Sequence, residues 1–130
     1  MPTIRKQYYG IKFPITANND RMQFIDLNEK VEDKVATEIS HVLLTPKRSR
    51  IRKPEFGTNL VKFIFEPSDN VTWEDVKKEA VEAVSKYVTS AELNNVEVIT
   101  ENDTNSIFLD LVYSVKRGLA IENKRTIIKI

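Results

Sequence analysis

The sequence is poor in the residue types on which many enzymes and metalloproteins depend. Its 130 residues include no cysteine, one histidine and three glycines. Without cysteine there is no disulfide framework, no thiolate metal site and no cysteine nucleophile. Three scattered glycines exclude the glycine-rich loops that bind nucleotide phosphates. No apolar run approaches the roughly 18 residues of a membrane span, and residues 1–6 show no signal-peptide core, so we expect neither.

The net charge of +1 conceals a segregation of charge along the chain. Residues 47–53, which we call the basic loop, contain five basic side chains, and the remainder carries 15 basic against 19 acidic residues, or −4. Three interpretations of this loop are open. It contacts phosphates, it contacts an acidic protein surface, for which arginine is well suited, or it is simply solvated.

The helices are predicted in the first two thirds of the chain. Apolar residues recur every four positions from Leu27 to Leu43, which predicts a helix over about 27–44 with Asp26 or Asn28 as its cap. Pro46 ends this helix, and Pro46 and Pro54 bracket the basic loop.

Two further helices follow the basic loop. Thr58 is placed to cap a short helix over residues 59–65. Thr72 is the predicted N-cap of a third helix, which runs to Tyr87 or Val88 with a partial capping box.

Beyond the third helix the apolar period changes from about four to two. Strands are predicted over 96–101, 106–116 and 119–130, with turns at 102–105 and 117–118. Short loops between them require antiparallel pairing. The expected fold is therefore α+β: one domain over residues 1–130, with an apolar N-terminal arm (1–20), a helical part (27–88) and a strand meander (93–130) that forms most of the sheet.

No set of residues marks a catalytic centre. The lone His41 has no second histidine or cysteine beside which to bind a metal, so a structural or surface role is expected. Glu38, Glu55 and Glu66 are candidates for a hydrolytic carboxylate pair, but with 19 acidic residues such a pair arises by chance. We therefore predict no catalytic residue, no cofactor and no metal.

Three segments in the middle of the chain form an ordered motif. They read LLTPKRSR at 43–50, PEFGTNL at 54–60 and FEP at 65–67. This pattern resembles the gene-product-twenty-five-like (GPW) baseplate wedge family of contractile phage tails, which includes type VI secretion counterparts and an anti-adaptor branch. The resemblance extends over about residues 8–116.

The resemblance implies that the motif is scaffold. Gly57, just before a helix, suits a positive φ or a close approach of backbone, Phe56 anchors the loop to the core, and Arg50 braces the turn through carbonyls or Glu55. The motif residues expected to define the fold are Thr45, Arg50, Pro54, Phe56, Gly57, Glu66 and Pro67.

The sequence departs from the family pattern in two places. Arg48 stands where the family usually has glycine, and the Glu-Pro-Arg motif that commonly follows the third helix is missing after Tyr87. Docking through that motif is therefore not carried over. Some relatives carry a lysozyme label, which is not carried over either.

The implied function is that of a virion structural protein. It would link tail or baseplate proteins, including the sheath in contractile tails, within a ring of several copies. It would be assembled in the host cytoplasm and would bind neither nucleic acid nor a membrane. Pairing of the isoleucine-rich last strand with a neighbour's extended segment is the expected mechanism, although simple packing of that strand explains it equally well. Candidate contacts lie in the arm, the basic loop and the last strand: Tyr8, Tyr9, Phe13, Lys47, Arg48, Arg52, Lys53, Ile127, Ile128 and Ile130.

Four alternatives are open at this point. The chain could be a regulatory protein-binding module like the anti-adaptor branch, or a ring or tail component of a non-contractile phage. Nucleic-acid binding through residues 47–53 would weaken steeply with salt. The fourth alternative is glycan hydrolysis, which would lower the turbidity of a cell-wall suspension.

Overall fold

A computed structural model describes residues 7–17, 24–101, 103–104, 106–117 and 119–130. Within these residues three helices precede three strands. The elements are α1 (Val31–Leu44), α2 (Leu60–Phe63), α3 (Asn70–Tyr87), β1 (Ala91–Glu101), β2 (Ser106–Arg117) and β3 (Ala120–Lys129). The predicted α+β class, with three helices on an antiparallel sheet from the C-terminal half, is confirmed.

Helix α1 begins later than predicted because residues 26–28 are used in another way. The backbone of Asp26 and Asn28 pairs with the N-terminal arm, and Lys30 precedes the helix without a side-chain cap. The buried Asn28 side chain donates to the carbonyl of Ile11 in the arm at 3.2 Å instead of capping the helix. The predicted end at Leu44 is confirmed.

The caps of the other two helices also differ from the prediction. Asp69, not Thr72, caps α3, since its carboxylate accepts from the Thr72 backbone N–H at 2.8 Å. The hydroxyl of Thr58 is buried and donates to the Leu43 carbonyl at 2.8 Å, so it ties α1 to the chain that enters α2. Helix α2 is only one turn long, shorter than predicted.

The sheet is antiparallel in the order β1-β2-β3, so among the residues that the structure describes β1 and β3 are its two edges. Strand β1 begins at Ala91, five residues before the predicted start, and its register shifts between Leu93 and Asn95. That irregularity interrupts the alternation of apolar and polar residues. The first half of the strand therefore shows no period of two in the sequence. The predicted turn at 117–118 includes Gly118, which lies outside the described residues, as do Asn102 and Asn105 in the other turn.

The core lies between the helices and one face of the sheet. Val35 and Ile39 of α1, Val76 and Ala80 of α3, and alternate residues of β2 from Leu109 to Val115 are buried together. These are the faces that the two periodicities predict. Among the described residues no helix is long and apolar enough to cross a membrane.

The N-terminal arm lies against the body through its backbone. The N–H of Tyr9 donates to the carbonyl of Asn28, and the carbonyl of Gly10 accepts from the Asn28 N–H, both at 2.9 Å. Ile11 forms an antiparallel bridge with Leu27. The arm's apolar side chains, including Phe13 and Ile15, nevertheless stay largely exposed. Residues 1–6 and 18–20 of the predicted arm lie outside the described residues.

Candidate functional site

The motif segment closes on itself directly after α1. The carbonyl of Thr45 accepts from the Thr58 N–H at 2.9 Å, and the Thr58 carbonyl accepts from the Lys47 N–H at 3.0 Å. Gly57 lies inside this crossing with a φ of +109°, and a Cβ there would stand 2.1 Å from the Thr45 carbonyl oxygen. Both features expected of Gly57, a positive φ and a close backbone approach, are present.

An aromatic and cationic stack holds the loop on the helices. The guanidinium of Arg50 lies 4.2 Å from the ring centroid of Phe56, and the Phe56 ring lies 4.8 Å from that of Tyr87 on α3. The Tyr87 hydroxyl donates to the carbonyl of Glu55 at 2.8 Å. Phe56 also packs against the core cluster.

Arg50 braces the turn through partners that the sequence did not indicate. Its Nη2 donates to Nε2 of His41 at 2.8 Å, where carbonyls or Glu55 were expected. Because arginine offers only donors, the imidazole accepts and is neutral. Partial burial, and then the nearby Arg50 charge, hold the pKa of His41 below its ordinary 6.5.

Lys47, a candidate partner contact, has a partner within the chain. Its Nζ lies 3.1 Å from a carboxylate oxygen of Glu79 on α3, and the same oxygen accepts from the Asn59 N–H at 3.0 Å. Burial alone would raise the pKa of Glu79, but these two contacts, together with the nearby charge of Lys62, outweigh it and lower the pKa overall. The base of the basic loop is therefore fastened to α3.

The other candidate cations of the basic loop point outward. Arg48, Arg52 and Lys53 are exposed, and Ile51 between them is fully exposed. Pro54 lies at the end of this segment, where its carbonyl accepts from the Arg48 N–H at 2.7 Å. The loop thus divides into a braced base and an exposed tip.

The closing Phe-Glu-Pro segment of the motif is also at the surface. Glu66 and Pro67 are exposed, and Phe65 before them is almost fully so. The Pro67 carbonyl accepts from the Asp69 N–H at 2.9 Å, immediately before α3. This part of the motif therefore shapes the entry into α3 and presents an aromatic ring outward.

The last strand places its three candidate isoleucines differently. Ile128 is buried in the core, so its predicted partner contact is withdrawn, and the alternative of simple packing holds for this residue. Ile130 is half-buried against the core, and Ile127 is exposed on the opposite face. Of the three, Ile127 presents the most side chain to a neighbour.

A groove borders the edge of β3 that no other described strand covers. It has a volume of about 420 Å³ and lies between the arm, α1 and the last residues of the strand. Its lining includes Phe13 and Pro14 of the arm, Ala36 and Leu44 of α1, and residues 126–129 of β3. Tyr8 and Tyr9 lie nearer the start of the arm, where Tyr9 lines a neighbouring groove of about 580 Å³ beside α1.

The outer face of the sheet holds an ion pair that sequence reasoning missed. Arg125 of β3 donates from Nε to a carboxylate oxygen of Asp110 on β2 at 2.8 Å and contacts the other oxygen through Nη2. Asp110 is buried, whereas most of the Arg125 side chain is exposed. The Arg125 hydrogen bonds lower the pKa of Asp110. The single acidic residue of β2 and the basic residues of β3 were the available signal, but only the pairing of the two strands shows that Asp110 and Arg125 meet.

The model of the family described as baseplate wedge protein gp25 matches residues 29–118, which is more than half of the chain. The chain belongs to this family. It is accordingly a structural protein of a phage-type tail baseplate, and it acts through contacts with other baseplate or tail proteins. The matched range runs from just before α1 to the end of β2 and includes the whole motif.

Two solved structures share the fold of this baseplate wedge family member. One is the crystal structure of a candidate tail lysozyme from Geobacter sulfurreducens, with a TM-score of 0.65, 21% identity, and coverage of 76% of this chain and 90% of that one. The other is a cryo-EM structure of the six-fold symmetrised anti-feeding prophage baseplate, with a TM-score of 0.60, 16% identity, and coverage of 90% and 81%. A comparison with curated proteins finds no match.

Proposed function

We propose that this baseplate protein is held in the tail by its β3 edge, along which an extended segment of a neighbouring baseplate or sheath protein adds as a further strand. One observation carries the proposal. Within the described residues β3 pairs only with β2, and its outer side lies next to the groove formed with the arm and α1. A free strand edge beside such a groove suits recognition by strand addition.

The hydrogen-bond pattern shows which groups are available for pairing. The N–H of Ile130 donates to the carbonyl of Ile107 at 2.9 Å, and Lys129 stands opposite Phe108. Inward and outward groups alternate along an antiparallel edge, so Ile127 and Lys129 direct their N–H and carbonyl groups away from β2. An incoming strand would bond to these two residues.

The groove provides the side-chain part of the same contact. Phe13 on the arm and Leu44 on α1 are exposed apolar residues on its walls. Alternate side chains of an added strand would point into the groove and cover them. Burial of apolar surface contributes about 25 cal/mol per Å², so these contacts add to the backbone hydrogen bonds.

We propose the following place for the protein in the assembled tail. The chain occurs in several copies arranged as a ring around the tail axis, and in a contractile tail it connects the wedge to the first sheath ring. It folds in the host cytoplasm before incorporation into the particle. The absence of cysteine agrees with a reducing compartment.

We propose that the protein performs this role without catalysis. The three candidate carboxylates lie on separate parts of the fold: Glu38 is paired with Lys34 on α1 at 3.5 Å, whereas Glu55 and Glu66 are exposed in loops. Purified protein should leave the turbidity of a cell-wall suspension unchanged. Clearing of the suspension would contradict this part of the proposal.

A substitution at the edge tests strand addition. Ile127→Pro removes one outward N–H but no hydrogen bond to β2, so the domain should fold, because proline is tolerated on edge strands. Ile127→Ala is the matched control, since it shortens the side chain and keeps the N–H. Each variant is supplied in trans to a host producing particles that lack the gene, and tails with incorporated protein are counted.

We expect Ile127→Pro to reduce incorporation at least tenfold and Ile127→Ala to reduce it much less. Circular dichroism and thermal unfolding of the purified variants verify that both are folded. Equal incorporation of Ile127→Pro and unmodified protein would overturn the strand-addition mechanism. Equal losses in both variants would contradict strand addition and indicate that Ile127 contacts the neighbour through its side chain alone.

A further inference from the structure

The tip of the basic loop combines an exposed apolar side chain with three exposed cations. Ile51 is fully exposed. Arg48, Arg52 and Lys53 around it make no ion pair within the part of the chain that the structure describes. A single exposed isoleucine is ordinary by itself. The conformation of the loop backbone is what makes the exposed Ile51 notable.

The tip is mounted on a braced base. The N–H of Arg48 donates to the Pro54 carbonyl at 2.7 Å, and the N–H of Phe56 donates to the Lys53 carbonyl at 3.0 Å. The hydroxyl of Ser49 donates to the Pro46 carbonyl at 2.7 Å. Because these bonds already order the loop, a partner would lose little binding free energy in immobilising it.

Two of the cations occupy an unfavourable backbone conformation. Arg48 has a φ of 67° and Lys53 a φ of 56°. Among the residues that the structure describes, these two are the non-glycine residues with a positive φ. Glycine adopts this left-handed region without steric cost, and asparagine adopts it at low cost. Residues held in such conformations by the surrounding structure cluster at functional sites, so an observed one is a reason to look for a function. Both strained positions carry a positive charge.

The remaining two cations of the loop are internal braces. Lys47 is paired with Glu79, and Arg50 is stacked on Phe56. The five basic residues are therefore not one undifferentiated cluster. Two hold the loop on the body, and three surround Ile51 at its tip.

We infer that the loop tip binds a carboxylate-bearing protein surface with an apolar recess for Ile51. This inference rests on the proposed function, because it takes a neighbouring baseplate or tail protein as the source of that surface. A phosphate backbone provides charge but no recess for an isoleucine. The rest of the chain carries a net charge of −4, which would repel nucleic acid.

A pair of glycine substitutions separates strain from binding. Arg48→Gly with Lys53→Gly relieves both positive-φ positions and removes two charges. The melting temperature of this double variant should rise by about 5 °C, while its incorporation into tails should fall at least tenfold. The matched control, Arg48→Lys with Lys53→Arg, keeps charge and strain and should incorporate normally. Ile51→Ser should reduce incorporation without changing the melting temperature.

Opposite changes in stability and incorporation would not result from a merely structural role. If the glycine double variant and Ile51→Ser both enter tails as well as unmodified protein, the inference is wrong and strand addition at β3 is unaffected. If unmodified protein itself fails to enter tails, the proposed function fails and the inference fails with it.

Zero-length carbodiimide cross-linking of assembled tails identifies the chemistry of the partner. We expect Lys53 to be joined to an aspartate or glutamate of a second protein, well above the background given by the exposed Lys78 of α3. Lys53 links found only within this chain would overturn the inference. So would a loss of duplex-DNA retention in the glycine double variant with normal incorporation, which would identify nucleic acid as the partner.

Discussion

Nη2 of Arg50 donates a hydrogen bond to Nε2 of His41 over 2.8 Å, and this contact joins the family motif to the last turn of α1. The imidazole must be neutral to accept it. Phe56 lies against both partners, with its ring centroid 5.6 Å from that of His41. The contact makes His41 a part of the loop's support.

Stability should depend on pH through His41. The folded-state pKa of His41 is lowered, mainly by burial and further by the charge of Arg50. On acidification the imidazole is therefore protonated at a higher pH in the unfolded chain than in the folded protein. The free energy of unfolding should therefore fall as the pH drops through the ordinary value of 6.5, until the folded-state pKa is reached. Urea denaturation between about pH 8 and pH 5 measures this change. His41→Gln should lack this contribution, and an identical pH profile in that variant would contradict the assignment.

The backbone crossing at Gly57 should tolerate no side chain. Gly57→Ala places a Cβ 2.1 Å from the Thr45 carbonyl oxygen at a positive φ, and we expect a loss of about 3 kcal/mol in unfolding free energy. Gly10→Ala is the control, because Gly10 has a φ of +113° with nothing within 4 Å of its Cβ position. It should cost only about 1 kcal/mol. Equal losses in denaturant titrations would show that the close approach contributes nothing.

The stack of Arg50 on Phe56 should be measurable as a coupling energy. A double-mutant cycle with Arg50→Ala and Phe56→Ala should give about 0.5–1 kcal/mol, the usual size of an exposed cation–π contact. Tyr87→Phe should separately cost about 1 kcal/mol, because the Glu55 carbonyl loses its hydrogen bond. Strictly additive effects of the first two substitutions would mean that the stack is not stabilising.

The Asp110–Arg125 pair should contribute to acid sensitivity. Hydrogen bonds from Arg125 lower the pKa of Asp110 in the folded state, so the pair stabilises the fold above the unfolded-state pKa and loses this effect as the pH falls through the folded-state pKa. Arg125→Met should be less stable at pH 7 and lose less on acidification. Asp110→Asn combined with Arg125→Met is the control for the remaining acid effect. An unchanged acid profile in Arg125→Met would contradict the prediction.

Local patterns predicted the helical faces, the final turn of α1 and the alternation in β2, because each depends on residues that are close in the chain. The starts of α1 and α3 were predicted less well. Asn28 has a side chain that can cap a helix, but it donates its hydrogen bond to Ile11 of the arm instead. At α3, Asp69 is the N-cap in place of Thr72. Such competition between equivalent polar residues is decided by tertiary contacts.

The candidate site shows the same division. Gly57 and Phe56 were identified because motif order and local backbone chemistry define their roles. The Arg50–His41 and Lys47–Glu79 contacts join residues from separate elements, and no period in the sequence relates them. Alternation along a strand predicts that Ile127 and Ile128 face opposite sides of the sheet, but only the packed structure shows that Ile128 is the one that is buried.

A cryo-EM reconstruction of the tail that contains this protein tests strand addition at β3 most directly. We predict an extended segment of another chain running about 4.8 Å from β3 and bonded to the outward groups of Ile127 and Lys129. A β3 edge that faces solvent in the assembled baseplate, or is covered only by side chains of a neighbouring helix, would contradict it.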